Sequence, residues 1–134
     1  MKVKLTTLLG ALLVASTLTA GAAKPFLIQG KLPHLTMLVK AFWNDADVAF
    51  TEEQKSKLLI ICKNTMEGAK KLAQQINPLE AKIVKETKEG ATPKSLQKSV
   101  SKLASLRAEA TMLHISCIYN TKAILTEDQI DIIE

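Results

Sequence analysis

Glycine, proline and aromatic residues are scarce in this chain, and their scarcity narrows the fold class. The 134 residues include only five Gly, four Pro, three Phe, one Trp and one Tyr. Sandwiches and barrels need frequent turn signals between short strands, and this sequence has few of them. The composition therefore favours an all-α fold.

The chain also lacks the motifs that carry the common catalytic chemistries. It contains no Gly-rich phosphate loop and no His-Glu-x-x-His. No Ser or Cys nucleophile is accompanied by a recognisable base and orienting group. We therefore predict that the protein is not an enzyme.

The N-terminus is typical of a secretory signal peptide. Lys2 and Lys4 precede a mostly apolar run over residues 5–18, and residues 20–22 supply small side chains for cleavage. The run is too short and too interrupted for a membrane span, and no nearby Cys offers a lipid anchor. We predict a signal peptide over residues 1–22, cleaved near residues 20–23, and one exported domain over residues 23–134.

Positive charge is concentrated in the middle of the chain. The formal net charge is +5, or +3 without Lys2 and Lys4. Eleven Lys and four acidic residues lie between Lys55 and Lys102, whereas residues 126–134 carry acidic charges only. A basic surface attracts nucleic acid, acidic protein segments or anionic lipid. Export argues against nucleic acid as the partner.

One short motif occurs twice, at residues 50–54 (FTEEQ) and 125–129 (LTEDQ). Its Thr is a good helix N-cap, and Gln three residues later completes a capping box. In the second copy Leu125 and Ile130 also suit a hydrophobic staple. Each copy therefore predicts a helix start. The six motif positions are Phe50, Thr51, Gln54, Leu125, Thr126 and Gln129.

Apolar spacing predicts the remaining elements. After a flexible arm over residues 24–32, a short helix is expected to open at Pro33 and to end at residues 44–45. A second helix starts at Glu52, and Pro78 should kink it or force a restart that runs to about Glu89. Its apolar seam comprises Leu58, Cys62, Met66, Ala69, Ala73 and Ile76.

The last long helix is predicted over residues 93–121. At about 1.5 Å per residue it would span roughly 43 Å, which implies an elongated molecule. A short acidic helix should follow Thr126. The seam of the long helix comprises Leu96, Val100, Leu103, Leu106, Ala110, Leu113 and Cys117.

The order and spacing of these features resemble the LTxxQ family of Spy- and CpxP-type periplasmic proteins, which also includes heavy-metal sensors and resistance proteins. The resemblance covers residues 33–133. It rests on the two boxes, the Pro-Leu-Glu interruption at residues 78–80, and a long helix with Met-Leu-His at residues 112–114. Phe50 in place of the first Leu, and the two Cys, depart from the family pattern.

The resemblance implies an elongated antiparallel helical hairpin, with a kinked second helix and short flanking helices, that forms a curved homodimer in the periplasm. In the chaperone branch the concave surface holds unfolded clients without ATP. In the sensor branch the protein reports metal or stress to a membrane partner. The first hypothesis is a chaperone or stress-response binding protein without a cofactor. The alternative is a metal sensor or resistance protein that binds an ion such as Zn, Cu or Ni.

Cys62 and Cys117 are the only cysteines. Oxidising export compartments favour disulfides. If both boxes lie at one end of an antiparallel pair, the two thiols sit at similar height, so we predict an intramolecular disulfide. Buried free thiols, an intermolecular bridge and metal ligation remain the alternatives.

His114 lies three residues before Cys117, a ligand-like spacing for zinc, copper or nickel. His34 and Met37 offer a second pair, and Met112 is near in sequence. A His beside an apolar seam is more often structural. These four residues form the metal-site hypothesis.

Two further groups of residues are candidates for client binding. Lys94, Lys98 and Lys102 form one stripe at i, i+4 spacing. A charged stripe is most often only a solvated face. Phe42 and Trp43 belong to an apolar patch that serves more often as core or dimer contact than as client surface.

Overall fold

The structure, a computed structural model, describes residues 25–28 and 30–134. The predicted signal peptide and its cleavage region lie outside the described residues. The described part is all-helical, as predicted, with α1 (Leu35–Ala41), α2 (Glu52–Lys88), α3 (Pro93–Ile124) and α4 (Glu127–Ile133). Within that part, no helix combines the length and the apolar character that a membrane crossing requires.

A short turn joins the two long helices. At its start Gly90 has a φ of +88°, a left-handed conformation that glycine adopts without a Cβ penalty, and its N–H donates to the Thr87 carbonyl. At its end the Thr92 hydroxyl accepts from the Ser95 N–H, and Pro93 takes the first helical position. The local sequence therefore sets both the end of α2 and the start of α3.

Several predicted boundaries differ from the structure. α1 ends at Ala41 rather than at residues 44–45, and α3 ends at Ile124 rather than at residue 121. α1 begins at Leu35 rather than Pro33, and the residue before it, His34, gives no side-chain cap.

α2 continues through Pro78 without a restart, and the kink, the other outcome expected at this proline, stays a prediction. Pro78 removes one backbone donor, but Ile76 is fully buried and Leu79 packs beside it, so tertiary packing holds the helix on both sides of the proline.

The contacts between α2 and α3 pair the start of one helix with the end of the other. Gln54 donates to the Ile124 carbonyl at 3.0 Å, whereas Glu80 accepts from Arg107 at 2.8 Å. α1 packs mainly against α3.

Two apolar clusters hold the helices together. The box-end cluster comprises Val39, Val48, Phe50, Leu58, Leu125 and Ile133. The mid-helix cluster comprises Ile76, Leu106 and Ala110, with Phe26, Leu72, Leu79 and Leu103 packed against it. The first cluster joins all four helices near the two capping boxes, and the second joins only α2, α3 and the segment before α1.

Between the clusters the long helices approach closely at Gly68. A Cβ built there would lie 2.8 Å from Leu113 Cδ2. This glycine therefore makes room for a leucine of the opposite helix. Two residues of the predicted apolar seams, Met66 and Val100, are solvent-exposed instead. The face that each long helix buries is therefore narrower than the apolar face predicted from the sequence.

The residues before α1 are more fixed than the predicted flexible arm. The Leu27 N–H donates to the Thr111 hydroxyl at 2.8 Å, and the Phe26 ring lies 4.9 Å from the His114 ring. These contacts secure the segment on α3. The segment contains the apolar residues Phe26, Leu27 and Ile28, but without a helix or strand period they do not indicate which element they contact.

Candidate functional site

Both copies of the motif form complete capping boxes. The Thr51 hydroxyl accepts from the Gln54 N–H at 3.1 Å, and the Gln54 amide oxygen accepts from the Thr51 N–H at 3.0 Å. Thr126 and Gln129 make the same two bonds at 3.2 and 3.0 Å. Each box thus satisfies two donors that a helix start otherwise leaves without partners.

The two boxes bind each other through their glutamines. Gln54 Nε2 donates to Gln129 Oε1 at 2.8 Å, and Gln129 Nε2 donates to Gln54 Oε1 at 3.1 Å. The two side-chain amides therefore form a closed ring of reciprocal hydrogen bonds. A pair of residues 75 positions apart becomes one structural unit. We call this unit the glutamine clasp.

The clasp also holds two backbone segments. Gln54 Nε2 donates to the carbonyl of Ile124, the last residue of α3, and Gln129 Nε2 donates to the Val48 carbonyl at 2.9 Å. Every amide proton and both lone pairs of each amide oxygen are used. The clasp consequently ties together α2, α4, the end of α3 and the loop before α2.

The apolar residue before each box anchors the clasp to the box-end cluster. Phe50 and Leu125 are both buried there. Ala49, next to Phe50, has a φ of +47°, which is uncommon for a residue with a Cβ. The backbone at Ala49 is therefore locally strained, and in this conformation the loop places Phe50 in the cluster.

The basic residues near the clasp are solvent-exposed or only partly covered. The Lys57 ammonium donates to the Glu53 carboxylate at 2.6 Å, and this hydrogen bond with the attendant charge attraction lowers the pKa of Glu53. Lys55 pairs with Glu52 at 3.4 Å and lies 5.8 Å from the centre of the Trp43 ring. These surface pairs add little to stability.

Both cysteines are free thiols in the structure. Cys117 is buried and half-exposed Cys62 donates its S–H to the Met66 sulfur at 3.7 Å. The thiols border different cavities, one beside α1 and one beside Asn120. The predicted disulfide is therefore not formed here, and it stays a prediction for the oxidised protein.

The two histidines of the metal-site hypothesis do lie together. Their rings are stacked at 4.9 Å and 17°. His114 is buried, its Nε2 donates to the Pro33 carbonyl at 3.2 Å, and its Nδ1 has no hydrogen-bond partner among the described residues. Met37 and Met112 are exposed. The part of the chain that the structure describes contains no group of three His, Cys, Asp or Glu side chains able to hold a metal ion.

The candidate client-binding residues divide into two places. Lys94, Lys98 and Lys102 are all exposed along the first three turns of α3. None takes part in an ion pair within the described residues. Phe42 and Trp43 lie at the other end of the molecule, half-buried against the box-end cluster.

Several large apolar side chains that the sequence analysis did not single out are exposed on the long helices. They are Leu59, Ile60, Val84, Ile115 and Tyr119, together with Met66 and Val100, which were predicted to lie in the buried seams. A helix that carries apolar residues on more than one face gives an ambiguous periodicity. For that reason the sequence pattern alone did not separate core positions from surface positions here.

Comparison with known proteins gave no match: no protein family, no curated protein and no solved structure is detectably similar to this chain.

Proposed function

We propose that this protein is a periplasmic, ATP-independent chaperone or stress-response binding protein of the LTxxQ type, exported by its N-terminal segment. In this proposal the two long helices form an antiparallel hairpin, kinked at Pro78. Two copies then make a curved homodimer that holds unfolded clients. The glutamine clasp supports the resemblance, because it gives the paired motif one physical role at the end of the hairpin.

The observation that carries the proposal is an apolar stripe on the solvent side of α3. Met112, Ile115 and Tyr119 follow i, i+3, i+7 spacing and are 59%, 38% and 74% exposed. Residues at this spacing share one face of a helix. Contiguous exposed apolar surface of this kind marks an interaction site more often than a chance feature.

A basic stripe precedes the apolar stripe on the same helix. Eighteen residues separate Lys94 from Met112, and because 18 residues make five turns of an α-helix, both lie on the same side of α3. Lys98 and Lys102 follow Lys94 by about one and two turns of the helix and are also exposed. A client would therefore meet positive charge and apolar surface along one helix.

This arrangement suits transient capture without ATP. Charge attraction speeds the first encounter with an acidic or unfolded segment and weakens as salt rises. Apolar contacts then retain the client. A client that folds buries its own apolar residues and has less surface to offer, so release needs no external energy source.

The proposal is tested by light scattering of a chemically denatured client diluted into buffer. We expect the mature protein at stoichiometric amounts to slow aggregation, and added salt to reduce the effect. The triple variant Met112→Ser, Ile115→Ser, Tyr119→Ser should lose most of the protection, because it removes the apolar stripe and touches no buried residue.

The matched control is the double variant Val84→Ser, Val100→Ser, which removes exposed apolar side chains elsewhere on the long helices. It should protect the client as well as the unmodified protein does. Circular dichroism must show the same helix content for all three proteins. No protection by the unmodified protein, or equal protection by the triple variant, would refute the proposal.

The homodimer needs its own measurement. Analytical ultracentrifugation of the mature protein should give twice the chain mass, with a frictional ratio well above that of a sphere because the hairpin is elongated. A monomer at working concentration would remove the dimer from the proposal and leave the stripe on α3 as the only client surface.

A transition-metal sensor is the second candidate, because a joint site needs His34 and His114 to be neighbours, and their rings are 4.9 Å apart. Stacked rings direct their nitrogen lone pairs side by side rather than at one point. Metal binding would therefore require one ring to rotate, which would break the bond from His114 to Pro33.

Calorimetric titration with nickel, cobalt, copper and zinc separates the two candidates. A sensor should bind one of these ions stoichiometrically, and the double variant His34→Ala, His114→Ala should lose that binding. An affinity equal to that of the double variant would eliminate the histidine site. The aggregation assay in the presence of a chelator shows whether client protection is independent of metal.

A further inference from the structure

A cavity of about 400 Å³ opens between α1 and the first half of α2. Val39, Leu58 and Thr121 are buried and form its floor. Leu59 and Met66 are exposed and form its rim. The volume falls within the range of small-molecule sites, and the mostly apolar lining is typical of them.

The polar groups around the cavity are few and unevenly placed. Among the lining residues the only charged one is Lys40, and none is acidic or carries an amide. Lys40 is exposed and takes part in no ion pair within the described residues. The Lys55 ammonium lies near Trp43 of the lining but is paired with the Glu52 carboxylate, so the uncompensated charge at the opening is that of Lys40. The opening therefore favours a negative charge.

The lining also discriminates between classes of occupant. Most of its residues lie inside helices, whose backbone groups are already bonded to one another. A peptide inserted here would find only the hydroxyls of Thr36 and Thr121 as oxygen acceptors for its N–H groups, and burying N–H groups without partners is costly in an apolar site. A hydrocarbon chain has no such groups to satisfy.

We propose that this cavity binds a free single-chain anionic amphiphile, such as a fatty acid. Its hydrocarbon chain lies on Val39, Leu58 and Thr121. It passes between the Trp43 ring and the flexible Met66 side chain, which adapts to an irregular apolar shape. The carboxylate lies at the Lys40 ammonium. This site is separate from the apolar stripe of α3 and does not depend on the chaperone proposal.

Trp43 is the only tryptophan of the chain and is part of the cavity wall, so its fluorescence reports on occupancy directly. Titration of the mature protein with dodecanoate, kept below its micelle concentration, should change the emission saturably with one site per chain. Decanoate should bind about 15-fold more weakly, because each buried methylene contributes about fourfold to affinity. Dodecyltrimethylammonium should bind more weakly than dodecanoate.

Charge reversal at the opening tests the position of the head group. Lys40→Glu should weaken dodecanoate binding about tenfold and strengthen binding of the trimethylammonium analogue. The matched control is Lys63→Glu, an exposed lysine of α2 that does not line the cavity. It changes the net charge equally and should leave both affinities unchanged.

Three results would overturn the proposal. The first is no saturable change in Trp43 emission, and the second is equal weakening by the Lys40 and Lys63 variants, which would show unspecific charge attraction. The third is a shift of Trp43 emission on dilution without ligand, abolished by Met66→Glu, which would assign the cavity to contact with a second copy.

Discussion

Replacing one amide of the glutamine clasp should destabilise the whole box end of the molecule. Gln129→Leu preserves the side-chain volume approximately but removes both donors and the acceptor. It leaves the Val48 carbonyl and the Thr126 N–H without their partners, and it takes two bonds from Gln54. Because Gln129 is buried, water cannot readily replace what is lost.

The magnitude follows from these lost bonds. A buried donor or acceptor left without a partner costs about 1–3 kcal/mol, and a typical hydrogen bond contributes about 1 kcal/mol net. We therefore expect Gln129→Leu to lower the free energy of unfolding by about 3–5 kcal/mol. Gln54→Leu should cost about 2 kcal/mol, because Gln54 is only half-buried and water reaches part of the vacated space.

The double variant isolates the reciprocal pair. Each single variant breaks the same two bonds between the amides, so the double variant loses them only once. Its effect should be smaller than the sum of the two single effects by about 1–2 kcal/mol. The control Gln97→Leu, at an exposed position of α3, should change stability by no more than about 0.5 kcal/mol.

Urea unfolding followed by circular dichroism at equilibrium gives these free energies, provided that the transition is two-state and the slope with urea is unchanged. A loss below about 1 kcal/mol for Gln129→Leu would refute the reasoning, since it would mean that water or rearrangement satisfies the orphaned groups. Strict additivity in the double variant would refute the reciprocal geometry itself.

A charge variant adds a pH dependence with a definite sign. In Gln129→Glu the introduced carboxylate has no proton to donate, and it faces the oxygens of Val48 and Gln54. Folding therefore disfavours the charged form and raises the pKa of the introduced carboxyl above its unfolded value. The destabilisation relative to the unmodified protein should be largest above the folded pKa and should shrink as the pH falls through it.

Two further substitutions test backbone strain and helix approach. Ala49→Gly should stabilise the protein by up to about 1 kcal/mol in urea unfolding, because glycine tolerates the positive φ of this loop position; a loss of stability would show that the strain is negligible. Gly68→Ala should be neutral or destabilising alone, because its Cβ meets Leu113 at 2.8 Å. In the Leu113→Ala background the same change should stabilise by about 1 kcal/mol through helix propensity, and equal effects in both backgrounds would contradict the close approach.

The helix starts were predictable from sequence because capping is local. A cap involves residues within one turn. The helix starts at Thr51, Thr126 and Thr92–Pro93 can therefore be predicted from residues that are close together in the sequence. The end of α2 is also a local feature, because it depends on the positive φ of Gly90. The all-α class followed for a related reason, since a scarcity of turn residues is a property of composition.

Predictions that depended on the partner of a residue succeeded less well. Pro78 carries a breaker signal, yet α2 passes through it, because burial of Ile76 and packing of Leu79 outweigh one lost backbone bond. Met66 fits a heptad seam by spacing and is exposed, because the seam that α3 covers is narrower. Periodicity gives a face of a helix, but not how much of that face is covered.

The clasp shows most directly what only the tertiary structure decides. The sequence by itself determined that residues 50–54 and 125–129 are two similar helix starts. It contained no information that Gln54 and Gln129 would bond to each other, nor that His34 would stack on His114. Those contacts join residues 75 and 80 positions apart, and they exist because α3 packs against both α2 and α1. Local chemistry fixed the elements, and the packing of the long helices fixed which of their side chains meet.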